Sequence, residues 1–439
     1  MRPQYHYAAA ANWLSDPNGL VYHQGIWHLF YQYNPLGEDW GHMSWGHAIS
    51  HDLAEWQEQP VAIAEDAQHM IFSGAAIADP GGAAGFGRDA LIALYTASAA
   101  HGPAHQSQAL AWSTDQGQTW QRYAGNPVID RGLADFRDPN LFWHGPTGRW
   151  IMVVALSAEN RALIYASSDL KQWDELSVIH GAGAPGRVWE CPLLIELPVE
   201  GTDETRWLFK VDVLHDGPGA GAIYQTGTFD GIRFQPDGPA LDPIWQVADH
   251  GRDFYAAVAW HEPRDNQRRP VWIGWMGNHA YQGQLPQQGW RGAMSVPRRL
   301  SLGRSPQGFW LRQEPEPAAI AGVHAVQIGT TDIGQAARLE ITHPADFSMT
   351  IEDCDGRLLE VVRQSNRLAV ARRDPGSPFL DAQCTAPIAA GEPVCLWLDC
   401  GSLEIVSNDG RTALTLQHRL SGDVLSVHYE QAAEIPAFL

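Results

Sequence analysis

Three acidic side chains stand in short segments that a proline closes. Asp16 and Asp138 each precede a Pro-Asn pair, and Glu190 stands two positions before a proline. Two carboxyl groups with a third nearby are the groups that cleavage of a glycosidic bond requires. One carboxyl stays ionised and attacks the anomeric carbon, while the other stays protonated and donates to the leaving oxygen. The three acids therefore predict a glycosidase site, provided that the fold brings them together.

The surroundings of each acid suggest its part in this chemistry. Glu190 lies in an apolar run, and apolar neighbours raise the pKa of a carboxyl, so Glu190 is the predicted acid. Asp16 lies in a turn rich in backbone N–H donors, which favour the carboxylate, so Asp16 is the predicted nucleophile. We expect Asp138 to hold sugar hydroxyls and Arg137 to orient carboxylates or hydroxyls.

Each acid also has a purely structural explanation. Asp16 could do no more than form an Asx turn ahead of a proline. Arg137 and Asp138 could form a local ion pair, and Glu190 could be the partner of a buried cation. For any one acid alone these explanations are the stronger ones, but three such acids at regular spacing favour catalysis.

Aromatic and polar side chains near the acids are candidates for sugar binding, because sugar rings stack on indoles and hydroxyls bind amides and carboxylates. The predicted substrate-binding residues are Trp13, Ser15, Asn18, Gln32, Trp40, Phe72, Ser73, Arg137 and Trp275. We expect most of the other tryptophans to pack between elements of the fold.

Short apolar or alternating runs between Gly, Pro, Asn and Asp predict β-strands almost throughout the chain. A corner segment of the type Ser-x-Asp-x-x-x-Trp recurs with variations, starting at Ser50, Ser113, Ser167 and Thr228. These starts are 63, 54 and 61 residues apart, which suits a four-stranded propeller blade with its loops. The alternative is a set of unrelated turns in another β fold.

The repeat predicts an all-β chain with a five-bladed β-propeller over residues 1–315. The three acids are 122 and 52 residues apart, about two blades and then one blade. Equivalent positions on different blades converge on the propeller axis, so the acids could share one axial pocket. Beyond Trp310 only Trp397 remains, and alternating strands predict a C-terminal β-sandwich over residues 320–439.

Composition restricts the classes of partner. The net charge of −21 argues against nucleic acid and anionic membranes and favours a neutral or cationic ligand. No apolar run is long enough to span a bilayer, and no signal peptide is visible, so we expect a cytoplasmic protein. A chain whose leader had been removed would look the same. The oligomeric state stays open, with a homodimer as one option.

Cysteine and histidine usage suggests neither a disulfide framework nor a metal site. Five cysteines, four of them in the last ninety residues, do not form a paired pattern. The two histidines at positions 101 and 105 are separated by Gly-Pro, which prevents the helix that would align them. We expect no metal and no cofactor.

The motifs resemble those of glycoside hydrolase family 32, which includes invertases, levanases and inulinases. Five segments match in family order: residues 13–19, 30–35, 72–74, 136–139 and 190–192. The resemblance implies a five-bladed propeller with a trailing sandwich, retention of configuration and no cofactor. It also implies that Asp16 is the nucleophile, Glu190 the acid/base and Asp138 the transition-state stabiliser. The family usually has Met-Asn where Leu14-Ser15 stands here, so this chain lacks an amide beside the residue that matches the nucleophile.

The sequence thus predicts a retaining β-fructosidase that cleaves terminal β-D-fructofuranosyl linkages in sucrose, levan or inulin-type fructans. A fructosyltransferase on the same scaffold is the nearest alternative, with a sugar hydroxyl in place of water. A non-catalytic fructan-binding propeller is a second alternative, although a binding module would not need both Asp16 and Glu190. A propeller glycosidase acting on pentofuranosides is a third, which the ordered motifs argue against.

Overall fold

The computed structural model describes residues 2–214, 220–238, 244–261, 269–316, 329–332, 336–342, 345–420 and 426–431. These residues form seven sheets and a few short 3-10 helices. The helices are Gly145–Thr147, Ser157–Glu159, Gln282–Gln284 and Pro378–Leu380. Within these ranges, no helix has the length and apolarity needed to cross a bilayer. The prediction of an all-β chain is confirmed.

Five antiparallel sheets follow one another along the chain as blades 1 to 5. Blade 1 contains β1 (Asn12–His23), β2 (Ile26–Asn34), β3 (Ser44–Ser50) and β4 (Gln57–Ile63). Blade 2 contains β5 (His69–Asp79), β6 (Ala90–Ala99), β7 (Gln106–Ser113), β8 (Gln121–Arg122) and β9 (Ile129–Leu133). Blade 3 contains β10 (Phe136–His144), β11 (Arg149–Leu156), β12 (Arg161–Ser167) and β13 (Asp174–His180).

The last two blades follow the same plan. Blade 4 contains β14 (Arg187–Pro198), β15 (Thr205–Leu214), β16 (Ala220–Phe229), β17 (Phe234–Pro236) and β18 (Gln246–Val247). Blade 5 is built from β19 (Tyr255–Trp260), β20 (Val271–Met276), β22 (Ala293–Met294), β23 (Arg298–Ser305) and β24 (Gly308–Pro315). One short strand, β21 (Trp290–Arg291), lies between β20 and β22 in the chain but joins the sheet of blade 1.

The first strands of the five blades form a closed ring. Each of β1, β5, β10 and β14 contacts the first strand of the next blade, and β19 contacts β1. Blades 5 and 1 are further joined by the parallel pairing of β21 with β1. The indole of Trp260 also donates to the carbonyl of His28 at 3.0 Å. A ring of five sheets around their first strands is the predicted five-bladed propeller.

The repeated corner segment is the turn between the third and fourth strands of a blade. In blade 1, Asp52 accepts the backbone N–H groups of Ala54 and Glu55, each at 2.9 Å. The same side-chain-to-backbone bonding occurs at Asp115, Asp169 and Asp230 in blades 2, 3 and 4. Blade 5 instead turns tightly between Ser305 and Gly308. The sequence repeat therefore marks four blades out of five.

The C-terminal sandwich consists of one six-stranded and one four-stranded sheet. The six-stranded sheet has the order β25 (Gly329–Asp332), β34 (Ser426–Gln431), β27 (Phe347–Glu352), β28 (Leu358–Gln364), β29 (Arg367–Arg373) and β30 (Ala382–Pro387). The four-stranded sheet has the order β26 (Ala337–Ile341), β31 (Val394–Asp399), β32 (Ser402–Ser407) and β33 (Ala413–Gln417). One buried apolar cluster takes residues from both sheets. The predicted domain boundary at 315–320 falls at the end of β24, and residues 317–328 lie outside the described residues.

Buried charges join the sandwich to the propeller. Arg298 of blade 5 contacts Asp249 at 3.0 Å and also pairs with Glu404 of the sandwich. The ring of His6 contacts Asp399 at 3.0 Å and Glu404 at 2.9 Å. Burial alone would lower the pKa of His6, but its bonds to these two carboxylates outweigh burial and raise the pKa to about 9.

The His6 contacts make the stability of the protein dependent on pH. Because the folded pKa lies above the ordinary value of about 6.5, the stabilisation is complete below pH 6.5 and is lost as pH rises through 9. The difference corresponds to roughly 3 kcal/mol of unfolding free energy. We expect His6→Gln to lose this part of the pH dependence in urea unfolding between pH 6 and pH 9.5.

His51→Gln provides the matched control, since His51 is exposed on a corner turn of blade 1. This variant should keep the pH dependence of the wild type. An unchanged pH dependence in His6→Gln would contradict the assignment of the charge to His6.

Candidate active site

The first strand of every blade has a β-bulge, where it carries one residue more than the second strand with which it pairs. The irregularities lie between Ser15 and Pro17, Phe72 and Gly74, Arg137 and Asn140, Glu190 and Leu193, and Tyr255 and Val258. Such a bulge breaks the alternation of side chains and re-aims the residues within it. Asp138, Cys191 and Ala256 reach left-handed backbone angles there, with φ values of 64°, 47° and 54°. Five aligned bulges therefore build the candidate site on the axis.

Asp16, Ser73 and Cys191 meet at the centre of this ring. The hydroxyl of Ser73 donates to Oδ2 of Asp16 at 3.1 Å, and Sγ of Cys191 lies 3.9 Å from the same oxygen. Burial raises the pKa of Asp16, the charge of His279 lowers it, and the charge of Glu190 raises it again. The net effect is a pKa above the usual range for an aspartate. Asp16 lies inside β1 at a bulge, and the predicted turn with many backbone donors is not found.

Asp138 is held by the bulge of the next blade. The backbone N–H of Cys191 donates to Oδ2 of Asp138 at 3.0 Å, and its Sγ lies 3.7 Å from that oxygen. The backbone N–H of Asp138 donates to Oγ1 of Thr96 at 2.9 Å. Burial raises the pKa of Asp138 to about 7, although Arg137 acts in the opposite direction. One cysteine thus contacts both aspartates and sets their spacing.

Glu190 is bound by a cation and a phenol. Arg137 donates through Nε to Oε1 at 3.1 Å, and the hydroxyl of Tyr255 donates to Oε2. Burial raises the pKa of Glu190, but Arg137, His279 and Tyr255 outweigh burial and hold the pKa below its usual range. Glu190 is therefore paired with a cation, as the structural explanation for this acid expected.

The expectation of a raised pKa for Glu190 is wrong. The apolar neighbour Trp189 faces away from the carboxyl and packs against Phe209 and Trp245, with ring centroids 5.8 and 5.4 Å away. The apolar character of the local sequence therefore applies to Trp189. The carboxyl of Glu190 instead contacts charged and polar groups from blades 3 and 5.

Trp13, Trp275 and Ser15 form the wall beside Asp16. The rings of Trp13 and Trp275 lie 6.0 Å apart, and both side chains are buried. The indole of Trp13 donates to the hydroxyl of Ser15 at 3.1 Å. Ser15, the departure from the usual family motif, therefore fixes an aromatic ring of the wall. Trp40 is 53% exposed and packs on Phe72 with centroids 6.1 Å apart, which places this pair at the rim.

Gln32 and Asn18 tie blade 1 to blade 2. The side-chain amide of Gln32 donates to the carbonyl of Ile71 at 3.0 Å. The side-chain oxygen of Asn18 accepts the backbone N–H of Gly74 at 3.3 Å. Both bonds flank the bulge at Ser73. These amides hold the neighbouring strand, which differs from the direct sugar contacts predicted for them.

The sequence analysis missed several polar residues of the site. Tyr255 stands in an apolar strand, and its position in the blade 5 bulge was the only signal for it. His279 lies in the turn after β20, with no motif to mark it. Lys210 is fully buried, donates to the carbonyls of Cys191 and Ala257 at 3.3 and 2.7 Å, and pairs with Asp212. Lys210 therefore connects the bulges of blades 4 and 5.

No group of three or more His, Cys, Asp or Glu side chains in the described ranges is arranged to hold a metal ion. The chemistry that the site offers is that of carboxyl groups, a guanidinium, a phenol and an imidazole. The charge of Glu190 raises the pKa of Asp16, so these two carboxyls influence each other across the site.

Comparison with known proteins assigns the chain to a family. The model described as Glycosyl hydrolases family 32 N-terminal domain matches residues 6–315. The chain belongs to glycosyl hydrolase family 32. A levanase from Bacillus subtilis is 38% identical over 454 residues, which cover 94% of this chain and 66% of that protein. An extracellular exo-inulinase from Aspergillus awamori is 40% identical over 350 residues, covering 72% of this chain and 65% of that protein.

Solved structures of this family share the fold. The crystal structure of exo-inulinase from Aspergillus awamori has a TM-score of 0.86 and 31% identity, covering 98% of this chain and 95% of that chain. The fructofuranosidase from Schwanniomyces occidentalis complexed with fructose also has a TM-score of 0.86, with 27% identity and coverage of 98% and 95%. The chain spans just under two thirds of the length of the curated relatives named above.

The phenol of Tyr255 gives a direct test of the geometry around Glu190. Its hydrogen bond lowers the pKa of Glu190, so Tyr255→Phe should raise that pKa. The rise is expected because the carboxylate loses one hydrogen bond that favours its charged form. The titration can be followed by NMR of ¹³C-labelled glutamate carboxyls, with Glu190→Gln identifying the resonance.

Tyr224→Phe is the matched control, because Tyr224 is a buried phenol of blade 4 that bonds to Gln246. This control should leave the titration of Glu190 unchanged. An identical Glu190 titration in wild type and Tyr255→Phe would refute the contact.

Proposed function

We propose that the chain is a retaining β-fructosidase that cleaves terminal β-D-fructofuranosyl linkages in sucrose, levan or inulin-type fructans. Family membership and the relatives named levanase and exo-inulinase support the reaction and the substrate class. A related structure is complexed with fructose, which supports the sugar unit. The net charge of −21 suits a neutral sugar better than a charged substrate.

One observation carries the proposal: carboxyls from the inner strands of three blades meet on the axis in three different environments. Asp16 accepts a hydroxyl from Ser73, Asp138 accepts the N–H of Cys191, and Glu190 is bound by Arg137 and Tyr255. A binding site for sugar hydroxyls alone would not need three carboxyls with different surroundings. Two carboxyls whose pKa values are shifted in opposite directions are what acid–base catalysis uses.

In the proposed first step, an ionised oxygen of Asp16 attacks the anomeric carbon of the fructosyl unit. The bond from that carbon to the leaving oxygen breaks, and the leaving oxygen takes the proton from Glu190. In the second step, water attacks the fructosyl-enzyme and gives a proton to Glu190, which releases Asp16 as a carboxylate. Both carboxyls return to their starting charge, and no cofactor takes part.

The reaction needs one proton on the pair, and it must reside on Glu190. The pKa of Asp16 lies above its usual range and that of Glu190 below it, so the surroundings of the two carboxyls oppose this placement. A bound fructoside excludes water from Glu190, and loss of water disfavours a carboxylate. Substrate binding therefore moves the proton toward the acid, while the Arg137 and Tyr255 contacts favour the base form for the second step.

Asp138 and the rim residues Trp40 and Phe72 are assigned to sugar binding. Asp138 is 7% exposed and its carboxyl has a pKa of about 7, so it can accept or donate a hydrogen bond to a sugar hydroxyl. Arg137 of blade 3 binds Glu190 of blade 4 and so connects the two blades. It also donates to Asp135 at 2.8 Å. Trp40 and Phe72 at the rim offer aromatic faces to the unit beyond the scissile bond.

Product analysis tests this function. We expect wild type to release free fructose from sucrose, 1-kestose, inulin and levan, whereas Asp16→Asn and Glu190→Gln lose about 10³-fold or more in kcat/KM. The carboxamides keep the size of the side chains and remove their charge and proton transfer. Asp135→Asn, which changes an exposed partner of Arg137, is the matched control and should lose far less activity.

The outcomes separate the alternatives. Accumulation of longer fructosides would make the protein a fructosyltransferase. Binding of fructans without turnover by wild type would make it a binding module. Full activity in Asp16→Asn would show that another group is the nucleophile.

A further inference from the structure

A buried lysine and a buried aspartate lie beside Glu190, and the proposed reaction uses neither of them. Lys210 and Asp212 are fully buried on β15, the second strand of blade 4, and their side chains pair with each other. In the pairing of β14 with β15, Asp212 is directly opposite Glu190 and Lys210 is opposite Leu193. These two positions flank the bulge of blade 4. Because residues two apart on a strand share a face, both charged side chains lie on the same face as Glu190.

The ammonium of Lys210 has three N–H groups and three acceptors. It donates to the carbonyl of Cys191 at 3.3 Å, to the carbonyl of Ala257 at 2.7 Å and to the carboxylate of Asp212. A neutral amino group would have only two donors, so the three contacts match the charged form. Two of the acceptors are backbone groups in the bulges of blades 4 and 5. One side chain therefore joins β14 and β19, which belong to different sheets.

These two bulges need contacts from outside their own sheets. Cys191 and Ala257 lie within the register shifts of β14 and β19, where the pairing with the second strand is interrupted. Cys191 and Ala256 also have left-handed backbone angles, with φ values of 47° and 54°. Residues other than glycine persist in such angles only where the surrounding structure fixes them. Lys210 supplies this fixation, since it binds the carbonyls of Cys191 and of the residue after Ala256.

Each of these bulges also presents a donor to a carboxyl of the site. In blade 5, Tyr255 stands at the edge of the bulge and its hydroxyl donates to Glu190. In blade 4, the N–H of Cys191 donates to Asp138 at 3.0 Å. A displacement of the two bulges relative to each other would therefore displace both donors.

We propose that Lys210 is a positioning residue that keeps the phenol of Tyr255 on Glu190. It does so by holding the bulge carbonyls of Cys191 and Ala257 at one ammonium, whose charge Asp212 balances. The consequence for catalysis rests on the proposed function. The contact between the phenol and the carboxyl can be measured without any turnover.

The loss of Lys210 has two effects that the choice of variant must separate. Lys210→Met removes the contacts to both bulges, and it also leaves Asp212 buried without its cation, which destabilises the fold. The double variant Lys210→Met/Asp212→Leu removes both charges at similar side-chain size, so it should restore stability without restoring the contacts. The net charge beside Glu190 is then unchanged. A change in the titration of Glu190 in the double variant therefore reports position and not the loss of a nearby cation.

The first measurement is the titration of Glu190 by NMR of ¹³C-labelled glutamate carboxyls. We expect the double variant to raise the pKa of Glu190, because the phenol that favours the carboxylate is no longer held against it. The same double substitution in a Tyr255→Phe background should add little to the shift that Tyr255→Phe causes, since both act through one contact. A full additional shift in that background would overturn the inference.

Arg363→Met is the matched control. Arg363 is a fully buried cation of the sandwich that donates to two backbone carbonyls, those of Ala389 at 2.9 Å and Glu392 at 2.6 Å. Its loss should lower the midpoint of urea unfolding and leave the titration of Glu190 unchanged. This control shows whether a general loss of stability is enough to alter the site.

The second measurement is the turnover of sucrose. We expect the double variant to lose about 10²-fold in kcat with a far smaller change in KM, as for a group displaced by about 1 Å. An unchanged Glu190 titration in the double variant overturns the inference, and so does a wild-type kcat. A shifted titration in a protein whose wild type hydrolyses no fructoside supports the positioning of Tyr255 and refutes the proposed function.

Discussion

The site depends on one backbone constraint: an extra residue in the first strand of each blade, repeated at the same height around the axis. Without the bulge, alternation would turn every second side chain into the packed faces between blades. With it, Asp16, Ser73 and Asp138 stand within the bulges, and Glu190 and Tyr255 stand at their edges. Five sheets that differ in sequence thus contribute to one pocket.

Bringing three carboxyls together is costly, because like charges raise one another's pKa and burial adds to the effect. The surrounding residues offset this cost unequally. Glu190 has a guanidinium, Asp138 has a backbone N–H, and Asp16 has a hydroxyl. The inequality separates the acids chemically, so that three similar groups can take different parts in one reaction.

Much of the site could be predicted because the chemistry lies in short motifs and the blades repeat at regular spacing. The acids at positions 16, 138 and 190 needed only the repeat and the axis to be placed together. The protonation of Glu190 could not be predicted, because its partner Arg137 reaches it from another blade, 53 residues away in the chain. Tyr255 looked like one more apolar residue of a strand, since nothing local distinguishes a tyrosine in a core from one at a bulge.

The amides of Gln32 and Asn18 have a structural part that the sequence did not reveal. Their types suit sugar hydroxyls, and so the sequence favoured ligand contacts, yet a bulged strand exposes backbone groups that need partners of their own. A polar side chain beside a bulge can therefore serve as the hydrogen-bond partner of these backbone groups.

The parallel pairing of Asn12–Trp13 with Trp290–Arg291 affects how the protein is made. The strand with Asp16 leaves the ribosome before its neighbour on the far edge, which follows only after almost the whole propeller. A nascent chain therefore carries Asp16 long before it has Glu190, Tyr255 or a closed ring. The axial pocket is complete only when the last blade docks on the first.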